Sequence, residues 1–213
     1  MMTIQLQGET LYLLPEKAIW WPAQKAIIVS DLHWGKTAHF RKHGIAIPSQ
    51  VQAADEIRLA TIIKNFSATH LIIAGDLFHS RHNNEVAAFS HWREAHSDLQ
   101  ITLVTGNHDI LAPGHYTSWR MEVHQESLNI GPFIIKHDMT DDCEQFCIHG
   151  HVHPAIVIKG RGHTGSMRID CFAVDAHRLI LPAFGRFTGK YVLDPDSFKH
   201  IYLATGSEVM QWQ

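Results

Sequence analysis

Cysteine is scarce here and odd in number, with Cys143, Cys147 and Cys171 the only three in 213 residues. That count suits reduced thiols better than a disulfide framework, and Cys143 and Cys147 form no C-x-x-C pair. Long apolar runs are missing too. None approaches the roughly 18 residues of a membrane span, and the opening Met1-Met2-Thr3-Ile4-Gln5-Leu6 has neither a positive n-region nor a long apolar core. These absences predict a cytoplasmic protein with no membrane partner. A basic surplus is also absent: 18 Lys and Arg stand against 21 Asp and Glu, for a net charge of -3. No global field draws the chain onto nucleic acid, so any polyanion must be held locally. With no repeat, low-complexity tract or linker, and with 45% hydrophobic residues, one globular domain over residues 1–213 is expected.

Histidine is what the chain has in excess. Its 18 copies equal lysine and arginine combined. Most, such as His91, His96, His124, His163, His177 and His200, are scattered and need only ordinary structural roles. Others sit in five short polar clusters: Asp31-Leu-His33, Gly75-Asp76, Gly106-Asn107-His108-Asp109, His137 and Gly150-His151-Val-His153. Imidazole nitrogen with carboxylate and amide oxygen is the donor set of borderline divalent metals, and a pair of ions about 3.5–4 Å apart grips a phosphate from both sides. The clusters therefore predict two metal ions and phosphoester hydrolysis.

Their placement agrees with this. Apolar runs at 25–30, 70–74, 101–105 and 146–148 each stop at a cluster, and continuous apolar strands suit a sheet buried on both faces. Helices are predicted between the first three, over 49–65 with Ser49 as N-cap and Val51, Ala54, Ile57, Ile62 and Ile63 as its apolar residues, and over 83–95. A β-α-β-α-β order implies parallel strands, whose carboxyl ends gather ligands. The second half reads as mainly β, around 133–136, 155–158, 167–174, 178–181 and 200–205, and residues 4–14 with 18–21 add an edge hairpin. The expected fold class is α/β, a four-layer α-β-β-α sandwich of two mixed sheets flanked by helices.

The residue types fit the chemistry. Asp31 and His33, two apart, can share an ion if the backbone turns at the strand end. Asp76 can bridge two ions because a carboxylate has two oxygens. His151 and His153 would share a face in a plain strand, and a turn after Gly150 could aim them at different ions. Any one cluster alone is an ordinary turn; five in order at strand ends are not.

This series resembles the calcineurin-like metallophosphoesterases, over residues 26 to 153. The resemblance implies that Asp31, His33, Asp76 and His153 hold one metal, and Asp76, Asn107, His137 and His151 the other, with His108 as a catalytic residue that is not a ligand. It implies two divalent ions, manganese first, with iron and zinc within the range of such donors. The segments Asp31-Leu-His-Trp-Gly-Lys36, Gly75-Asp-Leu-Phe-His-Ser-Arg81 and Leu181-Pro-Ala-Phe-Gly-Arg-Phe-Thr-Gly189 resemble one bacterial branch, the ligase-associated DNA-damage-response phosphoesterases. That branch implies a phosphodiester substrate such as DNA, and an ATP-dependent DNA ligase and a helicase of the same repair system as partners. One departure stands out. Where many relatives have Gly-Asp-x-x-Asp, this chain has His79, as in break-repair nucleases that place a second histidine by the catalytic one; a turn-capping His79 is the plainer alternative.

What lies beyond the scissile phosphate is thinly written. Lys36 and Arg81, with Arg41 and Lys42, follow the first two clusters and are candidates to contact a second phosphate, or else form a solvated basic face. Trp34 and Phe78 offer rings for stacking or for the core. Arg186 and Thr188 either close over the site or are structural. Three functions follow: a nuclease-like phosphodiesterase, a hydrolase of cyclic or dinucleoside phosphates or small monoesters, and a non-catalytic repair scaffold.

Overall fold

Alternate residues of one apolar strand serve two different cores. In β4 (Ala26–Val29), Ile27 and Val29 face one side while Ala26 and Ile28 face the other. The same alternation runs through β5 (His70–Ala74) and β6 (Gln100–Val104), as the pleat requires. The computed structural model describes residues 1–36, 50–79, 83–138, 144–160, 165–186 and 188–212. Its first sheet runs β1-β2-β3-β4-β5-β6-β7, with β1 (Met2–Leu6), β2 (Glu9–Leu14) and β3 (Ala18–Trp21) antiparallel at one edge. Strands β4, β5, β6 and β7 (Met121–His124) are parallel. The expected edge hairpin is thus a three-stranded meander.

Helices α1 (Gln50–Asn65) and α2 (Asn83–Ala95) cover the outer face of this sheet through Leu59, Ile62 and Ile63, and through Phe89 and Trp92. Within α1 the stripe differs from the expected one. Ile57 is 65% exposed and Leu59 is buried in its place, because 59, 62 and 63 share a helical face that 57 does not. Ser49, the expected cap, lies outside the described residues. A short helix, α3 (Pro113–Ser118), precedes β7.

The second sheet is built from β8 (Leu128–Ile130), β9 (Phe133–Lys136), β10 (Phe146–His149), β11 (Pro154–Lys159), β12 (Ser166–Val174), β13 (Arg178–Ile180), β14 (Tyr191–Val192), β15 (His200–Ala204) and β16 (Val209–Gln211). Its order is β14-β11-β12-β13-β10-β9-β8, with β15 paired to β12 and β16 to β15, and its pairings are mixed. Phe133, Ile135, Phe146, Ile148, Phe172 and Val174 pack against Ile28, Ile72 and Val104 to form the core between the sheets. The fold is α/β, two mixed sheets with helices. Outside the second sheet, Leu193 and Phe198 close a smaller cluster around a 3-10 turn at Pro195–Ser197. Among the described residues that turn takes the place of an outer α-helix. No described helix is long and apolar enough to cross a membrane.

Candidate metal centre

All five clusters lie just past the carboxyl ends of strands: β4, β5 and β6 of the first sheet, β9 and β10 of the second. There the chain turns abruptly. Asp31, His33, Asp76, His151 and His153 all have left-handed backbones, with φ of 52°, 46°, 52°, 67° and 53°. Non-glycine residues in this region cost on the order of 1–3 kcal/mol each and cluster where side chains must be aimed. The loops brace one another. Asp31 N–H donates to Gly75 O at 3.0 Å, His33 N–H to Asp76 O at 2.9 Å, and Gly150 N–H to His137 O at 3.1 Å. Gly75 is required where it stands, since at φ +83° a Cβ would come 2.1 Å from His137 Nδ1.

The side chains converge. Donor atoms of Asp31, His33 and His153 lie within 4.8 Å of one another, as do those of Asp31, Asp76 and His137, and those of His33, Asp76 and His108. Asp31 Oδ1 is 3.1 Å from His153 Nε2, while Asp76 places Oδ2 3.8 Å from His33 Nε2 and Oδ1 3.5 Å from His137 Nε2. His151 turns the other way from His153, with Nδ1 3.0 Å from His137 Nε2. The left-handed turns thus send two imidazoles two residues apart to different neighbours.

The fit to a cation follows from the proton positions. His137 Nδ1 lies 3.1 Å from Ala74 O and His153 Nδ1 lies 3.1 Å from Gly189 O. A carbonyl only accepts, so both rings carry their proton on Nδ1 and, when neutral, turn the Nε2 lone pair toward a carboxylate. Lone pair against carboxylate is unfavourable unless a proton or a metal cation lies between, and His137 Nε2 is also within 3.0 Å of His151 Nδ1, which can donate to it. Two further atoms agree. Burial alone would raise the fully buried Asp31 carboxyl, but a hydrogen bond and positive charge facing it from His153, with smaller help from His137 and Ser30, hold it below the ordinary value, so the pocket suits a carboxylate with a cation beside it. His33 Nδ1 is buried without a hydrogen-bond partner, and burial, with repulsion from Lys36 next, pushes the His33 imidazole down to about 3. His33 is therefore neutral, the form that binds metal.

His108 sits on an exposed turn with its backbone N–H donating to Asp76 Oδ1 at 2.9 Å. Its ring centroid is 5.2 Å from His33 and 5.4 Å from His79, and the His79 and His108 rings are nearly parallel. Asn107 occupies the same exposed turn. Asp109 joins two loops, accepting from Gly106 N–H at 2.9 Å and Phe78 N–H at 3.2 Å, and burial raises its carboxyl to about 6 against these bonds. Its spacing as the last residue of its cluster was the only hint of this.

Lys36 is half-buried, and Asp31 and Asp76 oppose the lowering that burial imposes on its ammonium. With Arg186 and Thr188 it lines a groove beside His33. Arg81, Arg41 and Lys42 lie outside the described residues. Trp34 and Phe78 are 5% and 0% exposed and belong to an aromatic core with Phe89, Trp92 and Trp119, so packing is their use. Sequence reasoning missed the tie between the late Leu181–Gly189 segment and the first cluster: Phe184 N–H donates to Ser30 O at 2.9 Å and Gly185 N–H to Asp31 O at 3.0 Å. A Cβ on Gly185 would lie 2.6 Å from Leu32 O, so the close approach demands glycine.

Comparison with known proteins finds a family and similar solved structures. The profile of the calcineurin-like phosphoesterase family covers residues 25–173. Among solved structures, the nuclease MPE of Pseudomonas putida is similar at 33% identity and a TM-score of 0.85, over 99% of this chain and 98% of that one. Curated proteins give no match.

Proposed function

The chain belongs to the calcineurin-like phosphoesterase family and is a metal-dependent phosphoester hydrolase, and from that premise we propose that it is a two-ion phosphodiesterase acting on nucleic acid. The observation that carries the two-ion reading is the sharing of Asp31 and Asp76 between neighbouring donor groups. The likeness to a nuclease along almost the whole chain supports the substrate class. In this reading Asp31, His33, Asp76 and His153 hold one ion, and Asp76, Asn107, His137 and His151 the other. Bound divalent ions activate water and neutralise charge on the phosphate.

The other roles belong to side chains. His108, anchored at its backbone by Asp76 and exposed at its ring, delivers a proton to the leaving oxygen. His79, beside that ring, keeps it oriented. Lys36, in the groove by His33, meets phosphate oxygens, and Arg81 is proposed for the same task. Manganese is the expected metal, and a single domain in the cytoplasm, working in DNA repair with an ATP-dependent ligase and a helicase, is the setting that the three branch-like segments suggest.

The net charge of -3 keeps one rival alive, a hydrolase of cyclic or dinucleoside phosphates that needs no polyanion field. The test is to load the protein with Mn2+ and assay it on an aryl phosphodiester, on single-stranded and duplex DNA, and on cyclic nucleotides. Cleavage of DNA supports the proposal. Cleavage of cyclic nucleotides without DNA replaces it with the rival, and cleavage of nothing favours a scaffold.

A further inference from the structure

Two charged residues of α1 sit where core residues belong. Asp55 and Arg58 precede Leu59 and Ile62 at the spacing of one helical stripe, and those two are buried against the first sheet. The charged pair continues that stripe past the sheet and onto the Leu181–Gly189 segment. Arg58 Nη2 hydrogen-bonds Phe184 O, and its guanidinium lies over the Phe184 ring at 4.1 Å. Asp55 takes hold of the same segment two residues on, with Oδ2 accepting Arg186 N–H at 3.1 Å and Oδ1 3.2 Å from Arg186 Nε. The two are joined to each other, Asp55 Oδ1 to Arg58 Nη2 at 3.1 Å.

The far side of the segment presses on the metal centre. Phe184 and Gly185 donate their N–H groups to Ser30 O and Asp31 O, the carbonyls on either side of the left-handed turn that buries the Asp31 carboxylate. A strained turn persists only where its surroundings over-determine it. Here two backbone hydrogen bonds from the segment add to those that Asp31 and His33 make to Gly75 and Asp76, and their donors are fixed in turn by Arg58 and Asp55.

We propose that Arg58 and Asp55 are positioning residues for the metal centre: through Phe184, Gly185 and Arg186 they hold the Asp31 turn and so set the affinity of the ion that Asp31, His33 and His153 would share. The inference rests on the reading of Asp31 as a ligand. It assigns a purpose to the late glycine-rich segment, which carries no donor group of its own in that reading.

The test is calorimetric titration of the metal-free chain with Mn2+. Arg58→Ala and Asp55→Asn each weaken one binding event by about 10-fold or more, the range found for residues that orient metal ligands, and Arg58→Lys, which keeps the charge beside Asp55, recovers part of it. Leu59→Ala is the control, since it loosens the same helix on the sheet while leaving the Asp55 and Arg58 side chains that hold the segment unchanged. Wild-type binding in both Asp55→Asn and Arg58→Ala overturns the proposal, as does an equal loss in Leu59→Ala. If Arg58→Ala does not fold by circular dichroism, Asp55→Asn decides alone. Asp31→Asn tests the underlying reading separately: unchanged Mn2+ binding there removes Asp31 as a ligand and the proposal with it.

Discussion

The Asp76 carboxylate and the His108 backbone are coupled: Asp76 Oδ1 accepts the His108 N–H at 2.9 Å while Oδ2 lies 3.8 Å from His33 Nε2. One side chain therefore supplies charge to the donor cluster and fixes the loop carrying the proposed proton donor. Asp76→Asn separates these duties, since the amide oxygen still accepts from His108 but the charge is gone. Turnover falls by about 100-fold or more, because even residues outside the ligand set cost 10–100-fold. Metal content falls with it. Elemental analysis beside the kinetics checks this, and full metal occupancy in the variant would mean that Asp76 serves the loop alone.

His108 is a sharper case, because its ring nitrogen also comes within reach of His33 and Asp76. Geometry alone leaves it able to bind metal. The proposed role predicts that His108→Ala lowers kcat by about 10²–10⁴-fold, the usual contribution of a general acid, with both ions retained. Aryl phosphodiesters with good leaving groups, which need no proton, lose less than alkyl ones. Loss of one ion from the variant would make His108 a ligand instead.

The sequence was most legible where one residue type meets one physical demand. Continuous apolar runs fixed β4, β5 and β6, and the polar residues that end them mark the site. The left-handed turns at Asp31 and His151 were foreseeable only as a need for some turn, since Asp and His enter that conformation more often than most residues but only in a small share of cases. Ile57 shows the limit of apolar counting, because hydrophobic residues also occur on exposed faces. Long-range ties were invisible: Phe184 reaches Ser30, and Arg58 reaches Phe184, across more than a hundred residues of chain, and no local pattern records such pairs.

Two glycines share a backbone angle and differ in surroundings, which isolates a contact from a conformation. Gly8 and Gly75 both have φ of +83°, but a Cβ on Gly8 meets nothing within 4 Å, whereas on Gly75 it lies 2.1 Å from His137 Nδ1. Alanine at either position bears the left-handed penalty of about 1–2 kcal/mol. Only Gly75→Ala also displaces His137. Thermal melts with and without Mn2+ should show a similar modest loss for Gly8→Ala in both conditions, and a further loss of metal-dependent stabilisation for Gly75→Ala. Equal behaviour of the two variants would mean that His137 is not held by this packing.

The metal-free chain should also lose stability in mild acid through a group far from the centre. His70 Nε2 lies 2.9 Å from Thr102 Oγ1, which donates to Glu122 Oε2 at 3.1 Å, so His70 is the donor of the pair and carries its proton on Nε2. Burial lowers the His70 imidazole below its ordinary 6.5, and Glu122 only partly offsets it. The unfolded chain therefore takes up this proton at a higher pH than the folded one. Stability is intact above about pH 6.5 and declines as the pH falls below it, because the unfolded state then binds more protons. His70→Gln keeps a donor for Thr102 but does not titrate. In EDTA, its melting temperature should fall less between pH 7 and pH 5 than that of the parent chain, and an unchanged slope would remove His70 from the acid response.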